Sequence, residues 1–297
     1  MSAEEFTLTN LELRESTETG EVASGLSHAS MKGMFLLQVQ ELASDGEPRG
    51  CATVVHDAGD HGGRYRDLAR ALAADGWAVA LPSMRGHGGT EGERGHSAGR
   101  KEVVRDLTEI QDHLAYRMPD APKVLVGQGL GALHALAYAL EVPGMAAALV
   151  LISPLHEPTF VEPEAPRGLK KFLKKLTPQS PGSIGWKPDQ LTGDSNQAAA
   201  YLADTEVHDI ITLRAIQEAQ ASAAEYLPRL AQVGVPVLIL HGEDDPIASV
   251  ERSKALEGEG IAVKTFPGQR HDLLHDTGAT EVQAALRAWL DENLPRG

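Results

Sequence analysis

The sequence predicts an α/β fold, a mostly parallel central sheet flanked by helices and carrying a cap insertion. Three observations carry that reading. Short apolar runs bounded by turn residues alternate along the chain with segments of helical apolar spacing. Most of the runs are apolar throughout, as strands covered on both faces are. The length, 297 residues with 42% apolar and 23% charged residues, suits either about two units or one large α/β domain with an insertion.

The elements follow in order. Residues 1–30 are polar with a short alternating stretch at Phe6, Leu8, Leu11 and Leu13, an N-terminal extension or an edge strand; residues 31–297 form the main domain. Residues 34–42 read as a strand, ended by Ser44, Asp45 and Gly46. Residues 51–56 form a β-branched run before a Gly-rich turn. Tyr65, Leu68, Ala69 and Leu72 then recur at helical spacing until Gly76. Residues 77–81 are the next strand. After a Gly- and His-rich loop, Val103, Leu107, Ile110, Leu114 and Met118 line one helical face. Residues 123–126 and 147–152 are strands around a nearly all-apolar, hence buried, helix at 130–140. Residues 155–208, rich in Pro and Gly and without a clear β-run, break the rhythm and read as a cap over the functional edge. The alternation resumes with a helix at 213–230, a strand at 236–240, a helix at 250–256, a strand at 262–266 and a helix at 281–290.

Composition excludes several functions. Acidic residues outnumber basic ones 42 to 27, a net charge of −15, which repels a phosphate backbone; with aromatics at 4%, no nucleic-acid partner is expected. The single cysteine, Cys51, forms no internal disulfide and reads as a small buried hydrophobe. No signal peptide is recognisable and no run approaches ~18 apolar residues, so the expected location is the cytoplasm.

Six blocks in order carry a resemblance: His56-Asp57-Ala58-Gly59-Asp60-His61 with Gly63-Arg64-Tyr65; Arg85-Gly86-His87-Gly88-Gly89-Thr90-Glu91-Gly92; Gly127-Gln128-Gly129-Leu130-Gly131; Leu151-Ile152-Ser153-Pro154-Leu155; His241-Gly242-Glu243-Asp244-Asp245; and His271 with Leu274 and His275. The chain resembles the α/β-hydrolases, within them the monoacylglycerol lipase and lysophospholipase group, the serine aminopeptidase S33-like branch. The resemblance implies an α/β-hydrolase fold and hydrolysis of carboxylic esters such as monoacylglycerols or lysophospholipids. It implies that His271 is the base, that Asp245 orients it, and that the N–H groups of Ala58 and Leu130 form the oxyanion hole. It implies no cofactor and no metal, and as partner a small apolar or acyl-ester ligand.

Three residues depart from the family's pattern. Gly129 stands where the nucleophilic serine belongs, so no acyl-enzyme can form there. Gln128 replaces the usual His. Asp57 replaces the usual Gly, placing a carboxylate beside the oxyanion hole, where it opposes developing negative charge. Glycine also relieves the strained elbow backbone, an exchange of catalysis for stability. Two readings stay open: a degenerate serine esterase that keeps an acyl-chain-sized pocket for a lipid or small ligand, and an active hydrolase, either of carboxylic esters or through altered chemistry of the His271–Asp245 pair without an acyl-enzyme. An active lipase changed only at Gly129 fits poorly, because Gln128 and Asp57 differ as well.

Other candidates have plainer readings. His56, Asp57, Asp60 and His61 are metal-ligand types, yet local turn bonds account for them. Ser83 and Ser153 end strands away from the elbow, and His87 reads as structural. His134 on the buried helix reads as a hydrogen-bonded core histidine. Arg167, Lys170, Lys171, Lys174 and Lys175 interleave with Leu169, Phe172, Leu173 and Leu176, a cap helix whose lysines could dock on an anionic membrane.

Overall fold

The structure, a computed structural model, describes residues 6–14, 34–44, 46–164 and 176–295. Its centre is an eight-stranded sheet, with strands β1 (Thr7–Arg14), β2 (Met34–Leu42), β3 (Gly50–Val55), β4 (Trp77–Pro82), β5 (Lys123–Gln128), β6 (Ala148–Ile152), β9 (Val237–Gly242) and β10 (Ile261–Phe266). The order across the sheet is β1-β2-β4-β3-β5-β6-β9-β10. From β4 to β10 every neighbouring pair is parallel, while β2 is antiparallel to both β1 and β4. The polar N-terminal segment therefore supplies an edge strand, one of the two alternatives its alternation allowed.

Side chains alternate across the parallel strands and split the core in two. Val124, Val126, Ala148, Val150 and Ile152 face one layer, whose helices are α1 (Arg66–Ala74) and the C-terminal Ala279–Asn293. Leu125, Leu149 and Leu151 face the other, built by α2 (Arg100–Arg117) and α3 (Leu130–Glu141). Because both faces are covered, the strands carry apolar residues throughout, and ligands are left the C-terminal edge of the sheet, where β3, β5, β9 and β10 end.

The structure corrects the expected elements in two places. The helix expected over 213–230 is α-helical only at Leu213–Tyr226; it tightens to a 3₁₀ turn at Leu227–Gln232, since Pro228 has no N–H to continue the ladder. The segment expected to lack strands contributes β7 (Pro181–Ser183), antiparallel to β8 (Ile210–Thr212), a pair too short to leave a periodic signal. It also holds helices Pro188–Leu191 and Ser195–Ala203. The basic segment with Arg167, Lys170, Lys171, Lys174 and Lys175 lies outside the described residues. Among those described, no helix is long and apolar enough to cross a membrane.

Candidate active site

The turn from β5 into α3 passes through Gly129. Gly129 has φ 55° and ψ −112°, a conformation that costs a side-chain-bearing residue about 1–3 kcal/mol. Close approach holds the turn in place. A Cβ on Gly131 would lie 2.3 Å from the Val55 carbonyl oxygen, so only glycine lets α3 start against the end of β3. The Gly129 N–H donates to the Ile152 carbonyl at 2.9 Å.

The site is assembled by four strand ends. Beyond β10 lies His271, fully buried. Its Nδ1 donates to Asp245 Oδ2 at 2.8 Å. Asp245, beyond β9, accepts the Ile247 and Ala248 N–H groups on Oδ1 at 2.8 and 2.9 Å, and His241 Nε2 lies 3.0 Å from its Oδ2. Burial raises the Asp245 carboxyl, but His271, His241 and the Ala248 N–H outweigh it and hold the group well below the usual carboxylate range.

The loop after β3 supplies the decisive residue. Asp57 Oδ1 accepts from the Ala58 N–H at 2.7 Å and from the Leu130 N–H at 2.7 Å. Its Oδ2 lies 3.0 Å from His271 Nε2. A Cβ built on Gly129 would fall 2.0 Å from Asp57 Oδ1 and 2.1 Å from its Cγ. The Asp57 carboxylate thus occupies the space a serine at 129 would need. It also takes both N–H donors that the resemblance assigns to an oxyanion. Asp57 lies within the donor pair rather than beside it, because Tyr65 Oη receives the Asp57 N–H at 3.3 Å and His56 Nδ1 bonds the Asp57 carbonyl at 2.7 Å, fixing the loop. His56 Nε2 accepts the Met84 N–H at 2.9 Å, and burial pushes its ring down to about 3, so it stays neutral.

Electrostatics set the state of His271. Burial works against a charged ring, but Asp245 and then Asp57 outweigh it and raise the group to about 10. Set between Asp245 and Asp57, His271 holds its proton more tightly than a free imidazole does, which makes it a poor base. Burial raises the Asp57 carboxyl, against the pull of His271 and the two N–H groups.

Gln128 donates from Nε2 to Asp272 Oδ1 at 2.7 Å, while its Oε1 is buried without a hydrogen-bond partner among the described residues. Asp272 also meets Arg64 at 3.1 Å and His275 at 2.8 Å. Arg64 bridges to Asp60 at 3.1 Å and lies 4.9 Å from the ring centre of Tyr201 in the Ser195–Ala203 helix. From the 155–208 segment, Trp186 sets its ring edge-on to His271, 5.1 Å between centroids. Sequence reasoning did not single out Trp186, Tyr201, Arg64 or Asp272 for the site. Only the Gly-Arg-Tyr block and the position of Asp272 next to His271 pointed that way.

The remaining candidates are placed elsewhere or tied up. His61 lies 3.0 Å from Asp204 and 3.2 Å from Glu206, and Asp60 serves Arg64 and Tyr65. His87 bonds the Arg85 carbonyl at 2.9 Å. Ser83 Oγ accepts the Gly62 N–H at 3.3 Å, and Ser153 Oγ donates to the His271 carbonyl at 2.8 Å, so neither hydroxyl stands at position 129. His134 does not match its expectation: it has no hydrogen-bond partner among the described residues and lines a cavity. That cavity, of about 50 Å³, is lined by Ala58, Met84, Leu130, Ile184 and Ile211 among others. It is too small for the acyl chain expected from sequence. A second, of about 10 Å³, is lined by Asp57, Gln128, Trp186, Leu191 and Tyr201, with room for roughly one water.

Comparison with known proteins agrees with this architecture. The family model described as serine aminopeptidase, S33, matches residues 46–278. A monoacylglycerol lipase from Mycolicibacterium smegmatis is 29% identical over 256 residues, covering 84% of this chain and 91% of its own. The human monoglyceride lipase is 28% identical over 243 residues, 77% of each chain. The crystal structure of a monoacylglycerol lipase from Paleococcus ferrophilus superposes with a TM-score of 0.74 at 26% identity, covering 86% of this chain and 99% of its own. With the sheet order, the elbow at Gly129 and the His271–Asp245 pair at the strand ends, the chain belongs to the serine aminopeptidase S33 family of α/β-hydrolases, as a monoacylglycerol lipase-like member.

Proposed function

We propose that this monoacylglycerol lipase-like protein has left serine acyl-transfer chemistry and keeps its strand-end site for a small apolar ligand. One observation carries the reading: the Asp57 carboxylate fills the place of the missing side chain at Gly129 and takes the Ala58 and Leu130 N–H groups for itself. An ester carbonyl would have to displace a bound carboxylate to be polarised there, and would then meet no hydroxyl. His271 supports the reading too, since a ring raised to about 10 carries its proton at neutral pH and activates nothing by accepting one. The cavity volumes favour a ligand much shorter than a monoacylglycerol.

The test is turnover of a p-nitrophenyl ester and of a monoacylglycerol by the native chain, by Gly129→Ser, and by Gly129→Ser combined with Asp57→Gly. Activity is expected only in the double variant, which regains a hydroxyl and an empty pair of N–H donors together. Ester hydrolysis by the native chain that disappears in His271→Ala would overturn the reading.

A further inference from the structure

Behind the strand-end site a second hydrogen-bond chain leads out of the core, and we propose that it carries protons between His271 and solvent, through Asp245, His241, Ser253 and His156 in turn. This route involves only the proton of His271, so it holds whether or not the serine chemistry is closed.

The links are continuous. Asp245 Oδ2 is shared, 2.8 Å from His271 Nδ1 and 3.0 Å from His241 Nε2. His241, near the end of β9, sets its Nδ1 2.7 Å from Ser253 Oγ. Ser253, on the helix Val250–Lys254, meets His156 Nε2 through the same oxygen at 2.9 Å. His241 and Ser253 are fully buried, and His156 is half-buried. His156 lines an open groove of about 630 Å³ together with Pro158, Gln220, Leu227 and the ion-paired Glu157 and Arg252.

The chemistry of the partners fixes the direction of the chain. His241 Nε2 meets two acceptors, the Asp245 carboxylate and the Ala248 carbonyl at 3.3 Å, so it carries a proton. In the neutral ring Nδ1 is then a lone pair, and the one hydroxyl proton of Ser253 points to it. The Ser253 oxygen in turn accepts from His156 Nε2–H, which leaves His156 Nδ1 as an acceptor. That Nδ1 makes no hydrogen bond among the described residues. Burial, with His241 and Arg252 adding to it, pushes His156 down to about 4, so the ring is neutral and passes a proton on rather than holding it. A network that only satisfied buried polar groups would close on itself. This one ends in a bare nitrogen on a residue of the groove wall.

The transfers balance. A hydronium in the groove gives its proton to His156 Nδ1 and leaves as water. His156 Nε2 hands its proton to Ser253, and Ser253 hands its own to His241 Nδ1. The Nε2 proton of His241 then crosses Asp245 Oδ2 to a His271 bare at Nδ1. Each intermediate group gains one proton as it loses one, and the reverse sequence returns one to the groove. On the other side of His271 the chain stops at Asp57, whose Oδ1 is held by the Ala58 and Leu130 N–H groups, and a backbone N–H relays no proton onward.

The experiment uses NMR of the protein with isotope-labelled histidine, in the native chain, Ser253→Ala and His156→Ala. It reads the protonated nitrogen of His241 and the exchange of the His271 Nδ1 proton with water, while backbone amide exchange in β9 monitors local opening and circular dichroism monitors folding. His241 is expected to be protonated at Nε2. Both variants are expected to slow His271 exchange by about 100-fold or more, the low end of what a placed proton-transfer group supplies. Free imidazole, which fits the groove, is expected to restore the rate in His156→Ala but not in Ser253→Ala. A His241 bare at Nε2, equal His271 rates in the three chains at matched amide exchange, or restoration of Ser253→Ala by imidazole overturns the proposal. If Ser253→Ala does not fold, His156→Ala with and without imidazole decides it, and absence of slowing or of rescue rejects the route.

Discussion

Restoring serine alone at position 129 is the sharpest perturbation the site offers. A Cβ there falls 2.0 to 2.2 Å from three atoms of Asp57, well inside contact distance, so the carboxylate must leave. Its departure orphans the Ala58 and Leu130 N–H groups and takes one of two carboxylates from a buried imidazolium, and breaking such a pair costs about 3–5 kcal/mol. The φ of 55° adds about 1–3 kcal/mol for any residue with a side chain. The sum, about 4–8 kcal/mol, is comparable with the ~5–15 kcal/mol that holds a typical domain together. In an Asp57→Gly background the clash is gone, and Gly129→Ser should cost only the strain, about 1–3 kcal/mol. Urea unfolding of the four chains gives the coupling directly, expected at about 3–5 kcal/mol. If Gly129→Ser costs the same in both backgrounds to within ~0.5 kcal/mol, the two positions are independent and the account of the site is wrong.

Other predictions are simpler. The His271 imidazole should titrate near 10 by NMR, and in Asp57→Asn its midpoint should fall; an unchanged midpoint would show that Asp57 does not hold the proton there. Because the folded value is raised above the ordinary 6.5, the stability His271 contributes is complete below that value and is lost as pH rises through about 10. Asp272→Asn should destabilise the chain by about 3–5 kcal/mol in chemical unfolding, since the half-buried Arg64 and His275 both lose their shared, buried carboxylate. Anionic vesicles should pellet the protein through Lys170, Lys171, Lys174 and Lys175, and replacing these lysines by Gln should abolish the effect; binding that persists in the Gln variant rejects that route.

Much of the fold was legible because its signals are local. Apolar runs and helical spacing placed seven of the eight strands of the large sheet, with ends shifted by a residue or two, and left β1 open between an edge strand and an extension. The β7–β8 pair was not legible, since three-residue strands carry no period. At the site, the blocks around Gly129, Asp245 and His271 gave the positions, and the substitution at Asp57 was visible. What could not be read was where its carboxylate goes. That depends on Tyr65 and His56 fixing the loop and on α3 starting against β3, a three-dimensional coincidence with no sequence spacing of its own. The same holds for Trp186 and Tyr201, which reach the site from a segment whose sequence shows only punctuation.

The interlock of Asp57 with Gly129 also gives the site a direction in sequence space. A route back toward serine that accepts one substitution at a time must vacate position 57 first and install the hydroxyl second. The reverse order passes through a chain carrying both the clash and the strain. Random mutagenesis under selection for esterase activity should therefore recover position 57 changes as inactive, less stable founders, and serine at 129 only in their descendants.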